Sequence, residues 1–259
     1  MNIKMIAMDL DDTLLRDDKT ISERTEITLK KCREKGIKLV YATARGPSAR
    51  SVVPPELFDG RAQMCGAMAF ADETLVYNML ISTVEARGLL LAADKAGIKI
   101  AVEAKGWHYA NFDFPDDWDP IYREFYEVVN FNTLDIDAEK FYAMPETDEE
   151  IDLLMCHTPA GLRTTVARGN FTMIVHEDVS KSKAIEALAK HWGIDSKEIV
   201  AFGDDIIDIC MIQYCGTGVA MDNAIDEVKA VADYICDTNE NDGVAKWIEQ
   251  NILYTEKNL

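Results

Sequence analysis

The amino-acid sequence predicts an α/β protein: a doubly wound, mainly parallel sheet with an α+β domain inserted into it. Three observations carry that prediction. Short apolar runs that stop at acid-rich turns occur near both ends of the chain, as Met5-Ile6-Ala7-Met8-Asp9 and Ile199-Val200-Ala201-Phe202-Gly203-Asp204. A strand buried on both faces of a parallel sheet has this continuous, non-alternating look. Capped helical segments separate consecutive runs. The middle of the chain reads differently, with a Leu- and Ala-rich helix and a hairpin. The core is therefore assigned to 1–81 and 180–259, and the inserted domain to 82–179.

The first strand spans 3–9. A helix follows over 22–35, where Ser22 is a good N-cap and Gly36 a good stop. A second apolar strand covers 37–42. A crossover of roughly 25 residues between the two suits a right-handed βαβ unit. A short helix over 47–52 is stopped by Pro54-Pro55. Strands at 64–71 and 74–78 flank an Asp72-Glu73 turn. In the last third, a helix over 182–192 ends at Gly193, and strand 199–202 ends at Gly203-Asp204-Asp205. Helix 206–214, strand 217–220, helix 224–230, strand 233–236 and helix 242–252 complete the alternation.

In the inserted domain, a helix over 83–96 is closed by Gly97. Segments 98–104 and 107–111 form a hairpin turning at Lys105-Gly106. An acidic, aromatic loop covers 113–120. Helices near 120–128 and 147–156 and strands near 140–144, 163–167 and 171–176 make up the rest.

The chain has 259 residues and a formal charge of −19. That surface repels nucleic acid and anionic lipid. It also repels anionic metabolites at long range, so a phosphate substrate needs a local cationic site and a bound metal. Hydrophobic residues make up 48% of the chain, enough for a packed core. No apolar run of ~18 residues marks a transmembrane helix. No signal peptide is read, because Lys4 is followed by a strand-like run and then acids. The six cysteines are scattered without a CxxC pair, which argues against a zinc site or a disulfide framework. Cys210 and Cys215 read as buried free thiols. The four histidines lack metal-ligand spacing. These features point to a cytoplasmic protein, a monomer or homodimer, with neither nucleic acid nor membrane as partner.

The first apolar strand runs into Asp9-x-Asp11-x-Thr13. In open α/β sheets the chemistry sits beyond the carboxyl ends of the strands, so Asp9 and Asp11 project into a candidate active site. Carboxylates this close repel each other, and a hard cation such as Mg²⁺ relieves the repulsion. A carboxylate can also attack phosphorus and carry an aspartyl phosphate. Taken alone, the motif equally suits a plain acidic turn. Further signals follow other strands. Thr43 offers a hydroxyl at a strand-to-helix turn, either as a phosphate contact or as an N-cap. Asp204 and Asp208 are spaced to face one way from a helix start, where acids also suit the helix dipole. Lys181 stands ahead of a helix and in isolation reads as solvated surface.

Together and in this order, the Asp9-x-Asp11-x-Thr13 motif, Thr43, Lys181 and Gly203-Asp204-Asp205-x-x-Asp208 resemble the haloacid-dehalogenase-like phosphohydrolases. Gly218-Val219-Ala220-Met221-Asp222-Asn223-Ala224 and Asn241-Asp242-Gly243-Val244 are similar to the C-terminal signatures of the Cof-type branch, as is the large inserted cap domain. The resemblance implies a Mg²⁺-dependent phosphatase that hydrolyses a small phosphorylated metabolite, a sugar phosphate or similar, through an aspartyl-phosphate intermediate. It implies Asp9 as nucleophile and Asp11 as general acid/base. It implies Thr43 and Lys181 on the phosphoryl group, and Mg²⁺ held among Asp9, Asp11, Asp204 and Asp208, the last as a ligand or a ligand's partner. Arg45 either touches phosphate or pairs with an acid. The cap is expected to offer substrate contacts from Trp107, His108, Tyr109, Trp118 and Tyr122, or else to pack them internally.

Three positions depart from the family pattern. Ile207 stands where Asn is usual, Cys65 where Asn is frequent, and Ser182 where Gly is usual. An Asn at 207 could hold a carboxylate or Lys181 in register; Ile forms no such bond. Two other functions stay open at this level: a phosphomutase of the same superfamily, and a degenerate member that only binds or regulates. A response-regulator receiver shares the acids, Thr and Lys but has no inserted domain.

Overall fold

The computed structural model describes residues 2–114 and 124–254, so Trp118 and Tyr122 lie outside the described residues. In chain order the elements are β1 (Met5–Met8), α1 (Glu23–Glu34), β2 (Lys38–Ala42), β3 (Gly60–Gln63), β4 (Met68–Ala71), β5 (Thr74–Asn78), β6 (Ile81–Ser82), α2 (Arg87–Ala96), β7 (Lys99–Ala104) and β8 (Trp107–Ala110). They continue as β9 (Tyr126–Val128), β10 (Asp137–Ala138), β11 (Lys140–Met144), α3 (Asp148–His157), β12 (Leu162–Val166), β13 (Thr172–His176) and α4 (Lys181–Trp192). The last are β14 (Ile199–Gly203), α5 (Ile209–Tyr214), β15 (Thr217–Ala220), α6 (Asp226–Val231), β16 (Tyr234–Ile235) and α7 (Gly243–Ile248). Among the described residues no helix is long and apolar enough to cross a membrane.

The chain divides into two compact units. The first comprises Met1–Arg45, Ala49–Tyr77 and Ser180–Leu259. Its described strands form one sheet in the order β16-β15-β14-β1-β2-β3-β4-β5. The pairings from β16 to β3 are parallel, and β4 returns antiparallel to β3. Alternate residues of the buried strands feed two apolar layers. Ile6, Met8, Leu39, Tyr41, Val200 and Phe202 pack with Leu29 and Cys32 of α1 and Trp247 and Ile248 of α7. Met5, Ala7, Val40, Ala42 and Ala201 pack with Ala184, Ile185 and Leu188 of α4 and Met211 of α5. Each fully buried large aliphatic side chain contributes about 1.5–3 kcal/mol, so this double face is what fixes the register. Small side chains on the second face let α4 lie close to the sheet. Helix starts follow the sequence: Ser22 Oγ accepts from Thr25 N–H at 3.0 Å, and Ser180 Oγ accepts from Lys183 N–H at 3.2 Å. Such a cap is worth ~1 kcal/mol.

Register places the chemistry. Met8 of β1 lies opposite Tyr41 of β2 and Phe202 of β14. The strands therefore end level, and Asp9, Thr43 and Asp204 all emerge at one edge of the sheet.

The second unit comprises Gly46–Ser48 and Asn78–Val179. It holds a sheet in the order β12-β13-β11-β7-β8-β9 and a small β10-β6 pair. Leu89 and Leu90 of α2 and Leu154 of α3 pack on Ile100, Val102, Phe141 and Ile174.

Several elements differ from the sequence expectation. β3 was not read from its Gly-Arg-Ala-Gln sequence; Arg61 is tolerated there because its guanidinium lies 4.1 Å from the Phe70 ring centre. Within 64–71, only Met68–Ala71 is strand. Met64, Cys65 and Gly66 take positive φ and make a turn. Of the helix expected near 120–128, residues up to 123 lie outside the described residues and Glu124 is helical, while Tyr126–Val128 is strand β9, whose neighbour Phe125 accepts from His108 N–H at 2.8 Å. α2 starts at Arg87 rather than at 83, because Thr83 Oγ1 is committed to the Ile136 backbone: it donates to the carbonyl at 2.8 Å and accepts from the N–H at 2.9 Å. The 206–214 helix is a tight turn at Ile206–Asp208 followed by α5.

Candidate active site

β1 delivers Asp9 into a buried position, with its N–H donated to Phe202 O at 3.0 Å. The chain then turns sharply. Leu15 N–H closes on Leu10 O at 2.8 Å, and Asp12 takes φ 59° at the bend. Asp tolerates this left-handed conformation better than a branched residue would. The bend brings Thr13 back to the site, where its hydroxyl donates to Asp204 Oδ1 at 2.7 Å.

Lys181, the first residue of α4, is buried and donates to Asp9 Oδ1 at 2.6 Å and to Asp208 Oδ1 at 2.5 Å. Two glycines make room. A side chain on Gly66 would run into the Ser180 carbonyl and lie 2.8 Å from Lys181 N, so the turn after β3 can abut the start of α4 only as glycine. A side chain on Gly203 would lie 2.5 Å from Asp208 Cβ. Asp208 folds back beneath it, and its second oxygen, Oδ2, accepts from the N–H groups of Asp204 and Asp205, both at 3.1 Å. Both oxygens of Asp208 are thus engaged, and the carboxylate braces the Gly203-Asp204-Asp205 loop.

Asp9, Asp204 and Asp208 each present an oxygen within 4.8 Å of the others. Three buried carboxylates face one ammonium. Burial pushes the Asp9 carboxyl well above its usual range; Lys181 opposes this, while Asp208 and Asp204 add to it. Burial and then Asp208 push Asp204 up to about 7, against the Thr13 hydrogen bond and Lys181. Lys181 goes the other way. Burial alone would depress it, but Asp208 and Asp9 outweigh burial and keep it charged. The cluster is short of positive charge. Hard oxygen donors with excess negative charge are the donor set that suits Mg²⁺. Asp9 and Asp204 have the freer oxygens for a cation.

The structure does not bring the Asp11 carboxylate into this cluster. Arg45 holds it at both oxygens, Nε to Oδ2 and Nη2 to Oδ1, each at 2.7 Å. Lys19 adds a contact at 3.0 Å. Burial would raise the Asp11 pKa, but the Arg45 hydrogen bond and charge, with Lys19, outweigh it and lower the value. Arg45 is thus paired with an acid in this structure. Thr43 is buried at the same sheet edge; its Oγ1 accepts from Arg45 N–H at 3.1 Å, and its carbonyl accepts from Cys65 N–H at 3.1 Å.

Sequence reasoning gave no role to several residues that build the site. Thr13 holds Asp204. Asn223 Nδ2 donates to Asp12 O at 2.7 Å, and Asn239 Nδ2 donates to Leu15 O at 3.1 Å. The two are linked, with Asn239 N–H on Asn223 Oδ1 at 3.1 Å. They pin the turn that follows Asp9. The signal for Asn223 lay inside the Gly218–Ala224 signature; Asn239 carried none.

Among the described cap candidates, His108 is buried and its Nδ1 is 2.9 Å from Tyr142 Oη. Tyr109 packs against the apolar layer of the second unit. Trp107 is exposed, edge-on to Phe125.

A family model of haloacid dehalogenase-like hydrolases matches residues 6–248. The chain is 29% identical to the 5-amino-6-(5-phospho-D-ribitylamino)uracil phosphatase YcsE of Bacillus subtilis, over 98% of this chain and 97% of that protein. It is 28% identical to the phosphatase YbjI of Escherichia coli, named for the same substrate, over 96% of each. A solved phosphatase of the haloalkanoate enzyme superfamily from Bacteroides thetaiotaomicron superimposes with a TM-score of 0.80 at 26% identity, covering 95% of this chain and 94% of that one. With its parallel core, inserted cap-like sheet unit and buried acid–lysine cluster, the chain belongs to the haloacid dehalogenase-like hydrolases and, within them, to the Cof-type phosphatases.

Proposed function

We propose that this chain is a Mg²⁺-dependent phosphatase that hydrolyses a small phosphorylated metabolite through an aspartyl phosphate on Asp9. The observation that carries the reading is the buried Asp9 carboxylate at the end of β1, held 2.6 Å from the Lys181 ammonium beside Asp204 and Asp208. Asp9, Asp204 and, through the loop it braces, Asp208 would hold the cation. Mg²⁺ supplies positive charge that offsets the carboxylates and the phosphoryl oxygens.

Lys181 and the Thr43 hydroxyl bind non-bridging phosphoryl oxygens, and the Lys181 charge lets an anionic nucleophile approach an anionic phosphate. An Asp9 oxygen attacks phosphorus, and the bond to the leaving oxygen breaks. Asp11 protonates that oxygen. It then takes a proton from water, which attacks the phosphorus and frees Asp9 and inorganic phosphate. Asp11 rests ionised against Arg45, so it must gain a proton first. An approaching phosphate raises its proton affinity by like-charge repulsion. Ile207 does not interrupt this arrangement, since Lys181 and both Asp208 oxygens have partners without it.

The relatives' named substrate carries its phosphate on a ribityl chain, which supports a phosphorylated sugar or polyol as substrate here. Phosphate release from a panel of sugar phosphates, ribitylaminouracil phosphate and nucleotides, with Mg²⁺ and with EDTA, tests the reading. Metal-dependent turnover with a preference for phosphorylated sugars or polyols is expected; turnover equal in EDTA would refute it.

A further inference from the structure

We propose that the first unit carries a second anion site, a cleft that takes a phosphate-bearing small molecule. The cleft, of about 500 Å³, is lined by Arg33 of α1, Arg50 and Arg61 of β3, by the acids Glu56, Asp72 and Glu73, and by Tyr41 of β2 and Phe58. That is the size of an ordinary small-molecule site. Three arginines meet three acidic residues here; Arg33 pairs with Asp59 at 3.5 Å, which leaves Arg50 and Arg61 as the pair that grips an anion. None of these residues belongs to the Asp9–Lys181 cluster.

Glu73 stands in for the ligand. It sits at the tip of the β4–β5 turn with its side chain 78% exposed, and it is gripped by both Arg50 and Arg61. Arg50 Nη2 lies 2.7 and 2.8 Å from its two oxygens, and Arg61 Nη2 lies 3.2 Å from one. An exposed ion pair of this kind is worth ~0–1 kcal/mol, so a dianionic phosphate displaces the carboxylate readily. Arg61 itself is held in place. Its side chain is 11% exposed and stacked over Phe70, Nη1 donates to Asp72 O at 2.5 Å, and its buried Nε has no hydrogen-bond partner. A rigid, pre-positioned guanidinium loses little freedom on binding. Tyr41 and Phe58, edge-on to each other at 5.1 Å and buried, form the apolar floor of the cleft. Tyr41 of β2 pairs with Arg61 of β3, so the cleft lies beside the strand that leads to Thr43.

The test is calorimetric titration of the full chain with phenylphosphonate, a non-hydrolysable aromatic anion, in Mg²⁺. Two classes of binding are expected in the wild type. Arg50→Gln should weaken one of them by about tenfold, the loss of one charged hydrogen bond. Glu73→Gln, which removes the internal competitor, should tighten the same class. Both variants should keep the wild-type rate on p-nitrophenyl phosphate. A single class in the wild type, or a second class that both variants weaken or neither variant changes, overturns the proposal.

Discussion

Arg45 holds both oxygens of Asp11, each at 2.7 Å, and so turns that carboxylate away from the cluster formed by Asp9, Asp204 and Asp208. The pair lies at the candidate site, yet it favours the ionised form of the residue proposed to protonate the leaving group. The consequence is kinetic. Replacing Arg45 with Gln removes the largest lowering influence on Asp11 and raises its pKa. The alkaline limb of kcat against pH should move upward in Arg45→Gln. An unmoved limb would remove Asp11 as the acid.

Mg²⁺ should stabilise this protein more at neutral than at acidic pH. Asp9 and Asp204 have folded-state pKa values above the ordinary carboxylate value, Asp204 at about 7. The metal-free folded chain therefore binds these protons more tightly than the unfolded chain does. The stability they contribute is greatest below the ordinary range and is lost as pH rises towards about 7. A cation that binds the ionised cluster reverses that loss. The rise in Tm on adding Mg²⁺ should be larger at pH ~7.5 than at pH ~5. Equal shifts at both would contradict the coupling.

Thr13→Val keeps the shape of the turn but leaves Asp204 Oδ1 without its hydroxyl donor. Losing a ligand's supporting partner typically costs ~10–100-fold in metal affinity or activity. The Mg²⁺ concentration for half-maximal rate should rise by about that factor, with a smaller effect at saturating metal. A kinetic titration of the variant checks it.

Ile207→Asn should leave kcat/KM unchanged. Lys181 donates to Asp9 and Asp208, and Asp208 is saturated by Lys181 and two backbone N–H groups. Neither Lys181 nor Asp208 waits for an amide at 207. A clear gain in rate would show that the bond missing from the sequence pattern is missing from the site as well.

Much of the core was legible because its strands are buried on both faces and therefore apolar without interruption, as in 5–8 and 199–202. β3 was not, because Arg61 is kept in a strand by a ring, Phe70, that only the folded sheet supplies. Residues 126–128, at the end of the helix expected near 120–128, are strand because their pairing partner, β8, belongs to the fold rather than to the local sequence. At the site, parallel register brings Asp9 and Asp204 level, which strand-end position already encodes, whereas Lys181 comes to them from the start of α4 and was linked to them only by the family resemblance. The orientation of Asp11 does not follow from register. That depends on which cation reaches the carboxylate first, and Arg45, across the sheet edge, does. Thr13, Asn223 and Asn239 act through single hydrogen bonds to atoms far away in sequence, which spacing cannot reveal.

Every proposed step of the reaction depends on the covalent role of Asp9. Acid-quenching the enzyme within a single turnover of a good substrate, then mapping its peptides by mass spectrometry, tests it most directly. A phosphoryl group is expected on the peptide and side chain of Asp9, formed and lost at the rate of turnover, and absent from Asp9→Asn. Phosphorylation of another residue, or full turnover by Asp9→Asn with no labelled peptide, would contradict it.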